Sequence, residues 1–167
     1  MTRYAEVRHD EWIAADLGTV RSQFADLEHH IEANVHPKLG LRVLQQTARR
    51  ARYIQEVTLL GIRQRDVFER EFGADGSMTD TSVEGFNKGG SLHFEFGPET
   101  RGDRAGTVVS VTIRLPLPPV VGALIRPLLE GQIRRELLAA VAEDKHDLEV
   151  RGYVQRSTAR PTLAEAA

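Results

Sequence analysis

Between Pro119 and Glu149 apolar residues recur at Val121, Leu124, Ile125, Leu128, Leu129, Ile133, Leu137, Leu138, Val141 and Leu148. Steps of three and four put one broad apolar face on a helix. The charges Arg126, Glu130, Arg134, Glu143 and Lys145 fall mostly off that face. Glu130 precedes Arg134 by one turn, the favourable order for a helical ion pair. Pro118 and Pro119 suit a helix start. A helix of this span is about 45 Å long, so its face needs a wide partner, and the rest of the chain reads mostly as strands.

Tyr4 to His9, with Trp12 and Ile13 beyond, predicts a first strand. Asp16 or Thr19 is placed to cap a short amphipathic helix through Val20, Phe24 and Leu27, and Ile31 extends the pattern into a second. Pro37 and Gly40 then break it. From Leu41 the period is two, and strands follow over Tyr53 to Leu60, Arg63 to Phe72 and Met78 to Gly85. Asp75-Gly76 and Asn87 to Gly90 supply turns. Leu92, Phe94 and Phe96 alternate with His93 and Glu95, the cleanest strand signal in the chain. Past the polar turn from Arg101 to Gly106, Val109, Val111, Ile113 and Leu115 form a last strand. About seven strands, two short helices after the first strand and one long terminal helix predict an α+β fold: a curved antiparallel sheet gripping the helix, with room for a cavity between them.

At 167 residues, with 41% hydrophobic and 28% charged residues, a single domain with a real core is expected. Residues 1–150 are assigned to it and 151–167 to a C-terminal tail. The absence of cysteine excludes disulfides, thiolate nucleophiles and cysteine-ligated metal clusters within the chain, and fits a cytoplasmic location. A net charge of −2 gives no reason to expect nucleic acid as a partner. No apolar run is long enough for a transmembrane span, and no signal peptide is evident. Arg101-Gly102-Asp103 is expected to be a hairpin tip rather than an adhesion motif.

This order of elements resembles the START-like, or helix-grip, superfamily, which includes polyketide cyclase-like proteins. Three stretches carry the resemblance over roughly Arg3 to Glu149. Ala15-Asp16 through Val20, Phe24 and Asp26-Leu27 is similar to the family's first helix, and His36-Pro37 to the histidine-proline after its second. Leu115-Pro116-Leu117-Pro118-Pro119 with Ile125-Arg126-Pro127-Leu128-Leu129 is similar to the entry into its final helix. The resemblance implies a cavity for lipids, polyketides, aromatics or other apolar molecules, and no universal catalytic set. Fold membership alone does not assign a function.

Inward-facing strand and helix positions nominate Phe24, Phe68, Leu92, Phe94, Phe96, Val111, Ile113, Leu129 and Ile133 as apolar walls. If Tyr53, Val57 and Leu59 face the helix, so does Gln55, which would orient a polar group of the ligand. If Phe68 and Phe72 face inward, so do Asp66 and Arg70, as a buried pair able to orient a ligand or move protons. Asp26, His29, His30 and His36 form the one cluster that suggests chemistry. Imidazole and carboxylate suit zinc or iron. In an unbroken helix, however, His29 and His36 would stand about 10 Å apart along the axis, and chelation requires a break near Asn34. No metal and no cofactor are therefore assigned, and His36 is taken instead as a proton-transfer candidate beside Asp66 and Arg70. Three readings follow. The first is a binding protein for an apolar small molecule. The second is a cyclase- or dehydratase-type enzyme, with a histidine-ligated metal enzyme behind it. The third is an interaction module for a protein partner or a second copy of the chain.

Overall fold

The computed structural model describes residues 2–155. The elements run β1 (Tyr4–Ile13), α1 (Leu17–Ala25), α2 (Leu27–Glu32), β2 (Gly40–Gln46), β3 (Arg50–Leu59), β4 (Ile62–Phe72), β5 (Met78–Gly85), β6 (Ser91–Arg101), β7 (Arg104–Pro116) and α3 (Gly122–His146), closed by a π-helical turn at Asp147–Arg151. The strands form one antiparallel sheet in the order β1-β7-β6-β5-β4-β3-β2. Each strand from β2 to β7 pairs with its chain neighbour. Only β1 crosses, to pair with β7 in register from Tyr4 opposite Pro116 to Ile13 opposite Thr107.

Local chemistry sets the short helices. Asp16 caps α1, its carboxylate accepting from the Thr19 amide at 3.0 Å and the Thr19 hydroxyl at 2.6 Å. Asp26 ends α1 and caps α2, accepting from the His29 amide at 2.9 Å. Asn34, at φ 49°, turns the chain out of α2 before Pro37. Asparagine is among the few side chains that tolerate this region.

The core lies between sheet and α3. Ala5, Val7, Met78, Val109 and Val111 from the strands meet Leu129, Ile133, Leu137, Val141 and Leu148. The helix face is narrower than its sequence implies. Val121, Leu124, Leu128 and Leu138 are exposed, Leu124 by 83%. The buried seam runs through Gly122, Leu129, Ile133, Leu137, Val141 and Asp144. At about 100° per residue, Leu138 stands roughly a third of a turn off the centre of that seam, and Leu124 and Leu128 on its far side.

The helix is also tied to the sheet edge. Glu130 accepts from the Glu6 amide at 3.3 Å, Glu149 from the Ala14 amide at 2.7 Å, and Lys145 pairs with Glu11 at 2.7 Å. Two helix carboxylates thus cover amides at the outer side of β1 and just past its end, where an edge strand would otherwise offer them to another chain. Beyond the π-helical turn, Tyr153 is buried and its hydroxyl donates to Asp26 at 3.0 Å. Residues 151–155 therefore pack onto the domain, whereas the rest of the expected tail, 156–167, lies outside the described residues. No helix among the described residues is long and apolar enough to cross a membrane.

Candidate functional site

A cavity of about 160 Å³ opens between the inner face of the sheet and the middle of α3. Phe24, Phe68, Leu92, Phe94, Val111, Ile113 and Ile133 line it, with Gln55, Asp66, Arg70 and His36. Phe96 and Leu129 are placed elsewhere. Phe96 packs edge-on against Phe24, centroids 5.5 Å apart, and Leu129 is buried in the main core. Half-buried Leu39, Leu41, Glu136 and Ala140 mark the rim.

Asp66 and Arg70 are both buried and both face inward, at 3% and 4% exposure. They are not partners. Four residues apart on an extended strand they stand about 13 Å from each other, and each has found its own counterpart. Arg70 Nε and Nη2 donate to the two oxygens of Asp80, both at 2.7 Å, and Nη1 donates to the Phe24 carbonyl at 2.8 Å. The Tyr53 hydroxyl donates to Asp80 Oδ2 at 2.6 Å. The guanidinium lies 5.7 Å from the centroids of both Tyr53 and Phe94. Burial, followed by the Asp80 charge, holds the Tyr53 phenol well above its ordinary range.

Asp66 is satisfied by a loop. Its Oδ1 accepts from the Asn87 amide at 2.6 Å and the Ser82 hydroxyl at 3.1 Å, and its Oδ2 from Asn87 Nδ2 at 2.8 Å. Gly85 permits this approach. It holds φ +118°, and a Cβ there would stand 2.3 Å from the Arg65 carbonyl oxygen and 2.7 Å from Asp66 Cα.

At the α3 side the histidines meet carboxylates. His30 Nε2 lies 3.0 Å and His36 Nε2 3.4 Å from Asp144 Oδ1, and His36 Nδ1 lies 2.8 Å from Glu143 Oε2. His29 turns away to Asp147, at 2.8 Å. Burial alone would strip the proton from His36, but hydrogen bonds and charge from Asp144 and Glu143 outweigh it and raise its pKa to about 9. Burial likewise opposes ionisation of Asp144, yet its hydrogen bonds with His30 and His36 hold it well below the usual carboxylate range. Asp80, Asp144 and Asn87 line the cavity and are residues that the sequence reading misses. The available signal is phase: Asp144 follows Val141 by three and precedes Leu148 by four, on the apolar seam, and Asp80 alternates with Met78 on the inner face of β5.

A seven-stranded antiparallel sheet closed around a C-terminal helix, with two short helices after the first strand, is the START-like helix-grip fold, and this chain has it. Among solved structures it is similar to a protein of Thermus thermophilus, at TM-score 0.73 and 21% identity over 89% of this chain and 99% of that one. It is similar to the Zhui aromatase/cyclase of Streptomyces sp. R1128, at TM-score 0.67 and 16% identity over 91% and 100%. It is also similar to a START superfamily protein of Mycobacterium smegmatis, at TM-score 0.66 and 17% identity over 86% and 98%. At these identities the likeness establishes the fold alone. No protein-family model and no curated protein sequence matches the chain.

Proposed function

We propose that the chain binds a small apolar molecule, one ring or a comparable lipid or polyketide segment deep, between sheet and α3. The observation that carries this reading is the cavity of about 160 Å³ walled by Phe24, Phe68, Phe94, Val111, Ile113 and Ile133. A cavity of about 150 Å³ lined by aliphatic and aromatic side chains takes up benzene, so a larger ligand would bury one end and extend through the rim. Gln55 reaches the cavity and makes no side-chain hydrogen bond to the described residues. It is the group suited to orient a ligand's polar atom. Asp66 and Arg70 are engaged by Asn87, Ser82 and Asp80, which suits a fixed wall better than proton transfer.

A cyclase-type reading has one specific support: the Zhui aromatase/cyclase is similar in fold. His36 beside the cavity is the residue it would use.

Native mass spectrometry of the purified protein, and thermal shift with benzyl alcohol, 2-naphthol and hexadecanoate as probes, test the binding reading. At least one probe is expected to raise Tm. Ala140→Trp, which fills the cavity from α3, is expected to keep the fold and abolish the shift. A chain that co-purifies with no small molecule and responds to no probe would defeat the proposal.

A further inference from the structure

His30, His36 and Asp144 bring one donor atom each to within 4.8 Å of one another. They reach this point from three places: the end of α2, the segment beyond the turn at Asn34, and the last turn of α3. His30 Nδ1 donates to the Asp26 carbonyl at 2.7 Å. His36 Nδ1 donates to the Glu143 carboxylate at 2.8 Å. Both rings therefore carry a proton on Nδ1, because a carbonyl or carboxylate oxygen only accepts. Both Nε2 atoms then converge on the same oxygen, Asp144 Oδ1. The two rings lie 5.1 Å apart, centroid to centroid, on either side of that oxygen's approach. A single cation would be within reach of all three donor atoms.

We propose that His30 Nε2, His36 Nε2 and the Asp144 carboxylate bind a divalent transition-metal ion, zinc or ferrous iron, in the wall of the cavity. Two imidazoles and one carboxylate are a donor set for these ions. Two donors bonded at about 2.1 Å to one ion with near-tetrahedral angles stand about 3.4 Å apart. The observed separations from Asp144 Oδ1 are 3.0 and 3.4 Å. The outer hydrogen bonds also fit. Each ligating histidine donates its remaining N–H to a carbonyl or carboxylate, which fixes the tautomer that leaves Nε2 free for metal. Gln23, fully buried, donates to Asp144 and Asp147 at 3.1 Å each, and its Oε1 has no partner among the described residues. All three ligands line the cavity, so open coordination positions would face its contents. The spacing that separates His29 from His36 is no obstacle. The histidine used is His30, and the break at Asn34 folds His36 back beside it.

The test uses metal alone and is independent of any organic ligand. Full-length protein stripped with a chelator is titrated with Zn²⁺ and, separately, with Co²⁺, whose visible bands report coordination. About one Zn²⁺ per chain is expected to survive desalting, with a rise in Tm and a Co²⁺ spectrum of low coordination number that Zn²⁺ abolishes. His36→Gln, outside any helix, and Asp144→Asn are expected to weaken binding at least tenfold, with circular dichroism confirming the fold. His146→Gln, exposed on α3, should leave binding unchanged. Failure of the wild type to retain stoichiometric zinc would overturn the proposal. So would zinc retention by a folded His36→Gln variant equal to that of the wild type. Should both variants unfold, the wild-type Co²⁺ spectrum decides: bands of the six-coordinate aqueous ion refute the site.

Discussion

Arg70 shows what a single buried charge requires. With three nitrogens engaged and two aromatic rings against it, the guanidinium is a fixed part of the wall between β4 and β5. Removing either charge leaves the other buried and unpaired, which costs about 3–5 kcal/mol. Arg70→Met and Asp80→Asn should each lower stability by that order in denaturant unfolding. Tyr53 adds a pH effect. Its folded-state pKa lies well above the ordinary phenol value of 10.0, so the unfolded chain ionises first. The contribution is intact below pH 10 and is lost as pH rises beyond it. Alkaline unfolding followed by tyrosinate absorbance should begin near that pH and become shallower in Tyr53→Phe. Period placed Asp66 and Arg70 inside, but not their partners. Asp80 and Asn87 come from β5 and the loop after it, and pairing across strands depends on register that no single segment specifies.

Among the elements, α3 is where sequence and structure part most instructively. Its period announces a helix but not the width of the face that the sheet covers. Leu137 sits on the buried seam and Leu124 does not. Leu137→Ala should cost about 2–5 kcal/mol, whereas Leu124→Ala should stay within about 0.5 kcal/mol of wild type. Gly131 serves no packing need: a Cβ there would meet only Arg135, at 3.9 Å. Gly131→Ala should therefore stabilise the helix by about 1 kcal/mol, measurable as a higher Tm. The strands were legible because their alternation is clean. The break at Asn34 was legible only as a condition, because a positive φ at one asparagine is set by the packing around it.

For the whole molecule, the cavity is the feature no segment could reveal. Its apolar walls follow from inward phase, yet its volume is what remains after helix and sheet have met. Phe96 and Leu129 satisfy the same pattern as Phe94 and Ile133 and still fall outside it. The Ala140→Trp test of ligand binding and the zinc titration both address this shared space from its α3 side.

The pairing of β1 with β7 has a further consequence during synthesis. The first strand leaves the ribosome long before its partner, which ends at Pro116. Until then it has no hydrogen-bonding neighbour, and the helix that covers its outer side has yet to be made. Contacts this distant along the chain slow folding. A ribosome stalled before β7 would therefore display β1 as an unpaired strand.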